Sequence, residues 1–291
     1  MSTSAHGPVL ALDTSTPSLV TGLVTGLVIG RVIGADADSV ATAQSLHTAR
    51  AVENTVDNTR AHNELLMPKI MELLDSTGTQ MNELAAIVVG CGPGPFSGLR
   101  VGMATASGLG HALGIKVYGV CSHDAIAWRA LNEPLNEHSG ATNNGAPGVL
   151  VDGTAGHDGG LLVATDARRR ETYWARYGAV GDVLDEAKGT PGAGRGIPRR
   201  TAGPEVGPAE ELLAGASRVV AHPTIAARMP EKLRARAEAE TIPAVPSARG
   251  LVAVADFAAE PQPLTPLYLR RPDAKEPAAK PVSAALRWAD R

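Results

Sequence analysis

Val9-Leu10-Ala11-Leu12-Asp13-Thr14-Ser15-Thr16 opens the first half of the chain, and Leu162-Val163-Ala164-Thr165-Asp166 opens the second in the same way. Each is a short apolar run closed by a carboxylate and followed by a turn, the pattern of a buried strand. After the first unit, residues 19–33 are β-rich and hold Thr-Gly-Leu-Val twice in succession at 21–28, which predicts short strands joined by glycine turns. After the second, a turn at 167–170 leads into another strand at 171–177. A strand–Asp–turn–strand unit met once per half points to an internally duplicated α/β chain, although any buried strand ending in Asp could match it.

Gly90-Cys91-Gly92-Pro93-Gly94-Pro95-Phe96-Ser97-Gly98-Leu99-Arg100 is the second signal. An apolar run at 84–89 enters it and a small-residue run at 101–113 leaves it, so it reads as a strand-to-helix turn. Such turns cradle phosphates when free amides at a helix N-terminus face the ligand. Here no Lys-Ser or Lys-Thr follows, and neither Gly90 nor Gly92 opens a Gly-x-Gly-x-x-Gly. Pro93 and Pro95 also remove two N–H donors. The loop is shaped more than charged: a joint between strand and helix, with Ser97 and Arg100 setting the helix start.

Leu66, Ile70, Leu73 and Leu74 recur at helical spacing, with Lys69, Glu72 and Asp75 opposite and Gly78 as the stop. Pro68 lies either in the first turn of that helix or at a kink in one that begins earlier. Residues 35–61 are polar and yield no element. Past the glycine loop, helices are expected over 99–113 and 123–131, around a strand at 115–120. Gly102, Ala106 and Gly110 fall at i, i+4 and i+8, a stripe suited to close packing on another helix, within the chain or from a partner. Residues 132–160 and 178–208 are rich in turn-forming residues. Beyond them the pattern predicts helices at 208–213, 224–239 and 248–258 and a strand at 218–221. The expected organisation is an N-terminal α/β domain over 1–131, a flexible insertion over 132–160, a smaller C-terminal α/β domain over 161–271 and a disordered tail over 272–291.

Hydrophobic residues make up 44% of the chain and aromatic ones 3%, so its cores must be built from Ala, Val and Leu. Residues 1–150 carry 7 Lys/Arg against 12 Asp/Glu, and residues 151–291 carry 20 against 18. Neither half has the strongly basic balance of a protein that grips nucleic acid alone. Cys91 and Cys121 form no Cys-x-x-Cys and read as small buried thiols. The N-terminus lacks a basic leader segment, and the apolar stretch at 19–30 is too short to span a bilayer, which points to a cytoplasmic protein with no membrane contact.

The duplicated layout resembles the actin, sugar-kinase and chaperone-ATPase superfamily. There the strand-end carboxylate and the hydroxyl-rich turn after it flank the nucleotide phosphates and their Mg²⁺. Residues 9–16, His62-Asn63-Glu64-Leu65-Leu66-Met67-Pro68, the loop at 92–100, residues 166–177 and Pro266-Leu267-Tyr268-Leu269-Arg270 together resemble the TsaB (YeaZ) family. Its members are the dimerization subunit of the bacterial complex that makes threonylcarbamoyladenosine beside the tRNA anticodon. The match covers most of 8–131 and 161–177. Pro95 and Ser97 depart from it, standing where the family usually has Ser and Thr.

The resemblance implies an actin-like two-domain fold with a reduced second domain and no catalysis of its own. It implies a homologous, TsaD-like transferase subunit that holds ATP and a metal ion, and a TsaE-like ATPase subunit. It further implies indirect contact with tRNA through the complex, and a homodimer when the chain is alone. Pairing is expected through the two N-terminal helices, with Leu65, Leu66, Ile70, Arg100, Gly102, Met103, Ala106, Leu109 and Gly110 at the interface. Asp13, Thr14 and Gly98 are the positions that could meet a nucleotide.

The residues offer little else. Eight histidines form neither His-x-x-x-His nor His-Glu-x-x-His, so no metal site is expected. No Gly-x-Ser-x-Gly elbow occurs, and His123-Asp124 reads as a helix start. Asp13 is the one plausible catalytic carboxylate, with a turn-forming role as its alternative. A self-sufficient ATPase or small-molecule kinase of the same fold therefore stays open. Arg168-Arg169-Arg170 sits in the turn of the second strand pair, where a solvated hairpin tip is the commoner case and contact with RNA or phosphate the other.

Overall fold

The computed structural model describes residues 5–29, 49–133, 160–178, 199–213, 215–239 and 242–270. A two-residue ladder pairs β1 (Ala5–His6) with β4 (Val28–Ile29). Val9 and Ala11 point to one face of β2 (Val9–Asp13) and Leu10 and Leu12 to the other, and all four are fully buried. That is why the run is apolar throughout: the strand is covered on both faces. β2 lies at the centre of a five-stranded sheet, antiparallel to β3 (Leu19–Thr25) and parallel to β6 (Ala86–Gly90). β5 (Arg50–Val56) adds antiparallel outside β3, and β7 (Lys116–Val120) adds parallel outside β6.

The second sheet repeats the scheme. β8 (Leu161–Asp166) pairs antiparallel with β9 (Glu171–Tyr177), which pairs with β10 (Arg200–Pro208), while β11 (Arg218–Ala221) runs parallel to β8. The order β10-β9-β8-β11 matches β5-β3-β2-β6, and among the described residues it has no counterpart of β7. The duplication legible in two short runs is thus a duplication of topology, with Asp13 and Asp166 closing equivalent strands.

Helices α1 (His62–Thr77) and α2 (Phe96–Leu113) cover one face of the first sheet, where Leu66, Ile70, Leu99 and Ala106 join Leu10, Leu12, Ile87 and Val89 in one core. Each fully buried leucine there contributes about 2 kcal/mol of transfer free energy. Helix α3 (Ser122–Asn132) lies between the sheets: Ala125 joins the core of the first, and Ile126, Ala127 and Ala130 pack on Leu161, Val163 and Tyr177 of the second. Helices α4 (Pro223–Ala226) and α5 (Glu231–Ala239) cover the far face of the second sheet through Ile225 and Leu233. Helix α6 (Ala248–Ala253) covers the far face of the first sheet so closely that a Cβ on Gly22 would lie 2.2 Å from that of Ala248. Among the described residues no helix is long and apolar enough to cross a membrane.

Several elements differ from their sequence expectation for local reasons. β5 was hidden because it is an edge strand whose Arg50, Glu53 and Asn54 keep its apolar pattern weak. β10 was hidden by its glycines and prolines, which an irregular edge strand tolerates. Helix α1 begins at His62, so Pro68 is interior to it. The helix predicted over 224–239 is interrupted before Glu231 by Pro230, and the one over 208–213 is a single 3₁₀ turn at Ala209–Glu211. Helix α2 starts three residues early, at Phe96, after Pro95 in the extended region. No side chain caps it, so Ser97 and Arg100 do not set its start. The insertion predicted at 132–160, but for its ends, and the tail at 272–291 lie outside the described residues.

Candidate functional site

Asp13 ends β2 at the carboxyl edge of its sheet, where open α/β sheets place their ligand groups. Its Oδ1 accepts hydrogen bonds from Ser15 N at 2.9 Å and Ser15 Oγ at 2.7 Å. Its Oδ2 accepts one from Ser122 Oγ at 2.6 Å, and Ser122 Oγ in turn accepts from Gly92 N at 3.2 Å. Thr14 Oγ1 donates to Gly98 O at 2.8 Å. Asp13, Thr14 and Gly98 are therefore brought together, but onto one another.

The glycines of the loop make this packing possible. A Cβ on Gly90 would stand 1.8 Å from Asp13 Oδ2, one on Gly98 2.5 Å from Thr14 O, and one on Gly102 2.4 Å from Thr14 Oγ1. The backbone of the loop is held down as well: Cys91 N donates to Val120 O at 2.7 Å, Ser122 N to Gly92 O at 2.7 Å and Leu267 N to Cys91 O at 2.9 Å. The loop serves as a joint between β6 and α2, as its prolines suggested.

Asp13 and Thr14 are 0% exposed, and Ser15 is 2%. Burial raises the Asp13 carboxyl above the usual carboxylate range, an effect that the Ser122 and Ser15 hydrogen bonds oppose. A Mg²⁺ ion needs open carboxylate oxygens and room for several waters. As packed, the turn offers neither, so these residues do not fit a metal-bound phosphate.

A second, partly buried polar cluster joins α3 to the second sheet, and sequence reasoning missed it. Tyr177 OH donates to Asp124 Oδ1 at 2.8 Å, Arg200 lies 3.3 Å from the same carboxylate oxygen, and His123 Nε2 is 2.8 Å from Thr165 Oγ1. His123 is 0% exposed; burial, with Arg200 nearby, pushes its pKa down to about 3, so the ring is neutral. Burial pushes the thiols of Cys91 and Cys121 up to about 11 and about 12 respectively. Cys91 is the buried thiol expected, whereas Cys121 is half-buried beside Arg200, whose Nη1 lies 3.2 Å from its sulfur. The partners in this cluster sit on four separate elements, so no local motif announces it.

The predicted interface divides into residues that face inward and residues that do not. Leu66, Ile70, Gly102, Met103, Ala106 and Gly110 are buried inside the chain. The small-residue stripe is internal: Gly102 abuts Thr14, and a Cβ on Gly110 would lie 2.2 Å from a Val117 methyl. Its spacing is the one needed to seat α2 on its own sheet, so the six expected interface residues that are buried pack within the chain. Leu65 and Leu109 are half-buried and Arg100 is exposed. The outer face of the helix pair instead shows Met67 and Met71, one turn apart on α1, and Ala104, Ser107, Gly108 and His111 on α2.

Comparison with known proteins places this geometry. The family model TsaD: tRNA N6-adenosine threonylcarbamoyltransferase matches residues 52–142. An uncharacterized protein of Mycobacterium tuberculosis is 39% identical over 267 residues, 92% of this chain and 93% of that protein. The tRNA threonylcarbamoyladenosine biosynthesis protein TsaB of Escherichia coli is 30% identical over 118 residues, 40% of this chain and 42% of that protein. Among solved structures, YeaZ from Pseudomonas aeruginosa superposes with a TM-score of 0.51 at 22% identity, covering 85% of this chain and 90% of that one.

Proposed function

The chain belongs to the TsaB (YeaZ) family, and from that premise we propose that it is a non-catalytic partner subunit in threonylcarbamoyladenosine modification of tRNA. In this role it binds and activates the tRNA N6-adenosine threonylcarbamoyltransferase subunit, a homologous TsaD-like chain. ATP and a metal ion belong to that partner, and a TsaE-like ATPase completes the assembly in the cytoplasm. Alone, the chain pairs with itself.

The observation that carries this reading is the closed turn at Asp13. In an ATPase of this fold the strand-end carboxylate faces the phosphates, whereas here both of its oxygens accept hydrogen bonds from the chain itself. The outer face of α1 and α2 supports the partner role. Met67 and Met71 on α1 are 38% and 44% exposed, and Ala104 and Gly108 are exposed small residues on α2, where a partner helix could approach closely. Exposed methionines and small residues are adaptable groups of the kind found at interface cores.

The test is reconstitution. The transferase subunit is assayed for threonylcarbamoyladenosine formation with and without this chain, and association is followed by light scattering. Modification should need the chain, and the two should co-elute. Full activity of the transferase subunit alone would overturn the proposal. So would ATP turnover by the purified chain that Asp13→Ala abolishes, the outcome expected of a self-sufficient ATPase or kinase.

A further inference from the structure

Five arginines gather beside the loop at 92–95, on a chain whose net charge is −3. Arg168, Arg169 and Arg170 are exposed at the tip of the β8–β9 hairpin. That hairpin reaches the loop through Tyr173, whose OH donates to Gly94 O at 3.4 Å. Arg270 fastens the tip from the side, donating to Ala167 O at 3.1 Å and pairing with Glu171 at 3.1 Å. Two residues before Arg270, Tyr268 stacks on Phe96 with ring centroids 4.6 Å apart. The Arg100 guanidinium lies 3.9 Å over the Phe96 ring and its Nε donates to Tyr268 OH at 3.1 Å. The hairpin tip, the segment at 266–270 and the first turn of α2 that carry the five arginines are therefore tied to the same loop, with Asp166 and Glu171 as the acidic residues at the hairpin tip.

Two features set this surface apart from a solvated hairpin tip. The φ angles of Arg168, Arg169 and Arg170 are 62°, 50° and 65°, three successive left-handed residues. L-residues with a Cβ occupy this region at about 1–2 kcal/mol each, where glycine would not. Such strain is retained where the surroundings fix it and is concentrated at ligand sites. Here Asp166 Oδ1 and Glu171 hold the turn through hydrogen bonds of 3.0 Å from Arg168 N and 2.9 Å to Arg168 O. The second feature is Arg100, whose exposed guanidinium is pinned by Phe96 and Tyr268 while its terminal nitrogens carry no hydrogen bond among the described residues. A cation held in this way loses little side-chain freedom when it meets an anion.

We propose that this surface binds the phosphate backbone of RNA. On the function proposed above, which this inference rests on, the RNA is the tRNA substrate, and the chain then touches it directly and not only through its partner. The cations are spread along a hairpin tip, an extended strap and the first turns of a helix. That arrangement suits successive phosphates of a strand better than the single phosphate group of a nucleotide, and arginine is the side chain that grips phosphate bidentately.

Fluorescence anisotropy with labelled tRNA tests it, using the chain alone and its complex with the transferase subunit, across a salt series. The triple variant Arg168→Asn, Arg169→Asn, Arg170→Asn keeps a residue that tolerates the left-handed turn. Arg100→Gln tests the second cluster, and Arg50→Gln, at the other end of the first sheet, is the control. The triple variant should weaken tRNA binding by the complex about tenfold near 0.1 M salt and flatten the salt dependence by roughly 0.7–0.9 per lost phosphate contact. Arg100→Gln should weaken it less, and Arg50→Gln not at all. Partner association should be unchanged in the triple variant and in Arg50→Gln. Wild-type affinity and salt slope in the triple variant would overturn the surface, as would competition for it by free ATP as strong as that by tRNA. Loss of association in the unmodified pair would instead defeat the function proposed above. The same titration on the chain alone still decides the surface.

Discussion

Ser122 Oγ donates a 2.6 Å hydrogen bond to Asp13 Oδ2, joining the start of α3 to the end of β2. Because Ser122 Oγ also accepts from Gly92 N, one hydroxyl fastens the central strand, the inter-sheet helix and the glycine loop together. The carboxyl end of the central strand is thereby a structural knot.

Asp13→Asn should therefore act on stability and not on chemistry. The amide oxygen can still accept from Ser15, but the NH2 would face Ser122 Oγ, which now donates there and already accepts from Gly92 N, so a loss of about 1–2 kcal/mol is expected. Thermal denaturation checks the loss. Stimulation of the transferase subunit, measured below the lowered Tm, should equal that of the unmodified chain. A collapse of stimulation with fold and association intact would show that the carboxylate has a chemical role.

Two glycines eighteen residues apart, Gly90 and Gly108, should respond with opposite signs. Gly90→Ala drives a methyl onto Asp13 Oδ2 and Ser122 Oγ, at 1.8 and 2.5 Å, and should cost about 3 kcal/mol. Gly108→Ala adds a methyl that meets nothing within 4 Å on an exposed helical position, and should stabilise by up to about 1 kcal/mol. Urea denaturation of the two variants settles both signs at once.

The outer and inner faces of α2 are separable. Gly108→Trp should leave the fold intact and weaken association with the transferase subunit at least tenfold, because a large ring would stand where a partner helix is expected. Ala106→Trp should instead disrupt folding itself, since Ala106 is 0% exposed in the core beneath the helix. Light scattering with circular dichroism distinguishes loss of partner from loss of fold. Full association of the Gly108→Trp chain would remove this face from the interface.

His123 makes stability depend on pH with a definite sign. Its folded pKa is about 3 against an ordinary 6.5, so between these values the unfolded chain binds the extra proton. Stability is then greatest above 6.5 and falls with acidification down to about 3. From pH 7 to pH 5 this group alone should withdraw about 2 kcal/mol. Asp13, raised by burial, works in the opposite direction, since its protonated form is favoured on folding. The difference between the chain and its His123→Gln variant isolates the histidine: the variant should lose about 2 kcal/mol less between pH 7 and pH 5. Equal losses would mean that His123 is protonated in the folded protein.

Apolar runs and their punctuation were enough to set out most of the architecture. Val9–Asp13 and the run at 162–166 announced duplicated central strands because a strand covered on both faces must be apolar at every position. The leucine spacing of α1 and its stop at Gly78 were equally legible, since both are local. The edge strands β5 and β10 were not, because an edge strand buries little and tolerates charge, glycine and proline.

Apolar runs and their ends carry the duplicated α/β scheme, and the loop at 92–100 carries much of the family resemblance, which in turn singles out Asp13, Thr14 and Gly98 as a group that could meet a nucleotide. Only the tertiary structure decided what that group does, because whether a carboxylate faces a ligand or its own chain depends on Ser122 and Gly90, which approach it from other elements. It also decided that Gly102, Ala106 and Gly110 face inward, since helical spacing defines a stripe but not the direction in which the stripe is buried. The Tyr177–Asp124–Arg200 cluster and the arginine surface are products of long-range packing, and such contacts leave no trace in the order of residues along the chain.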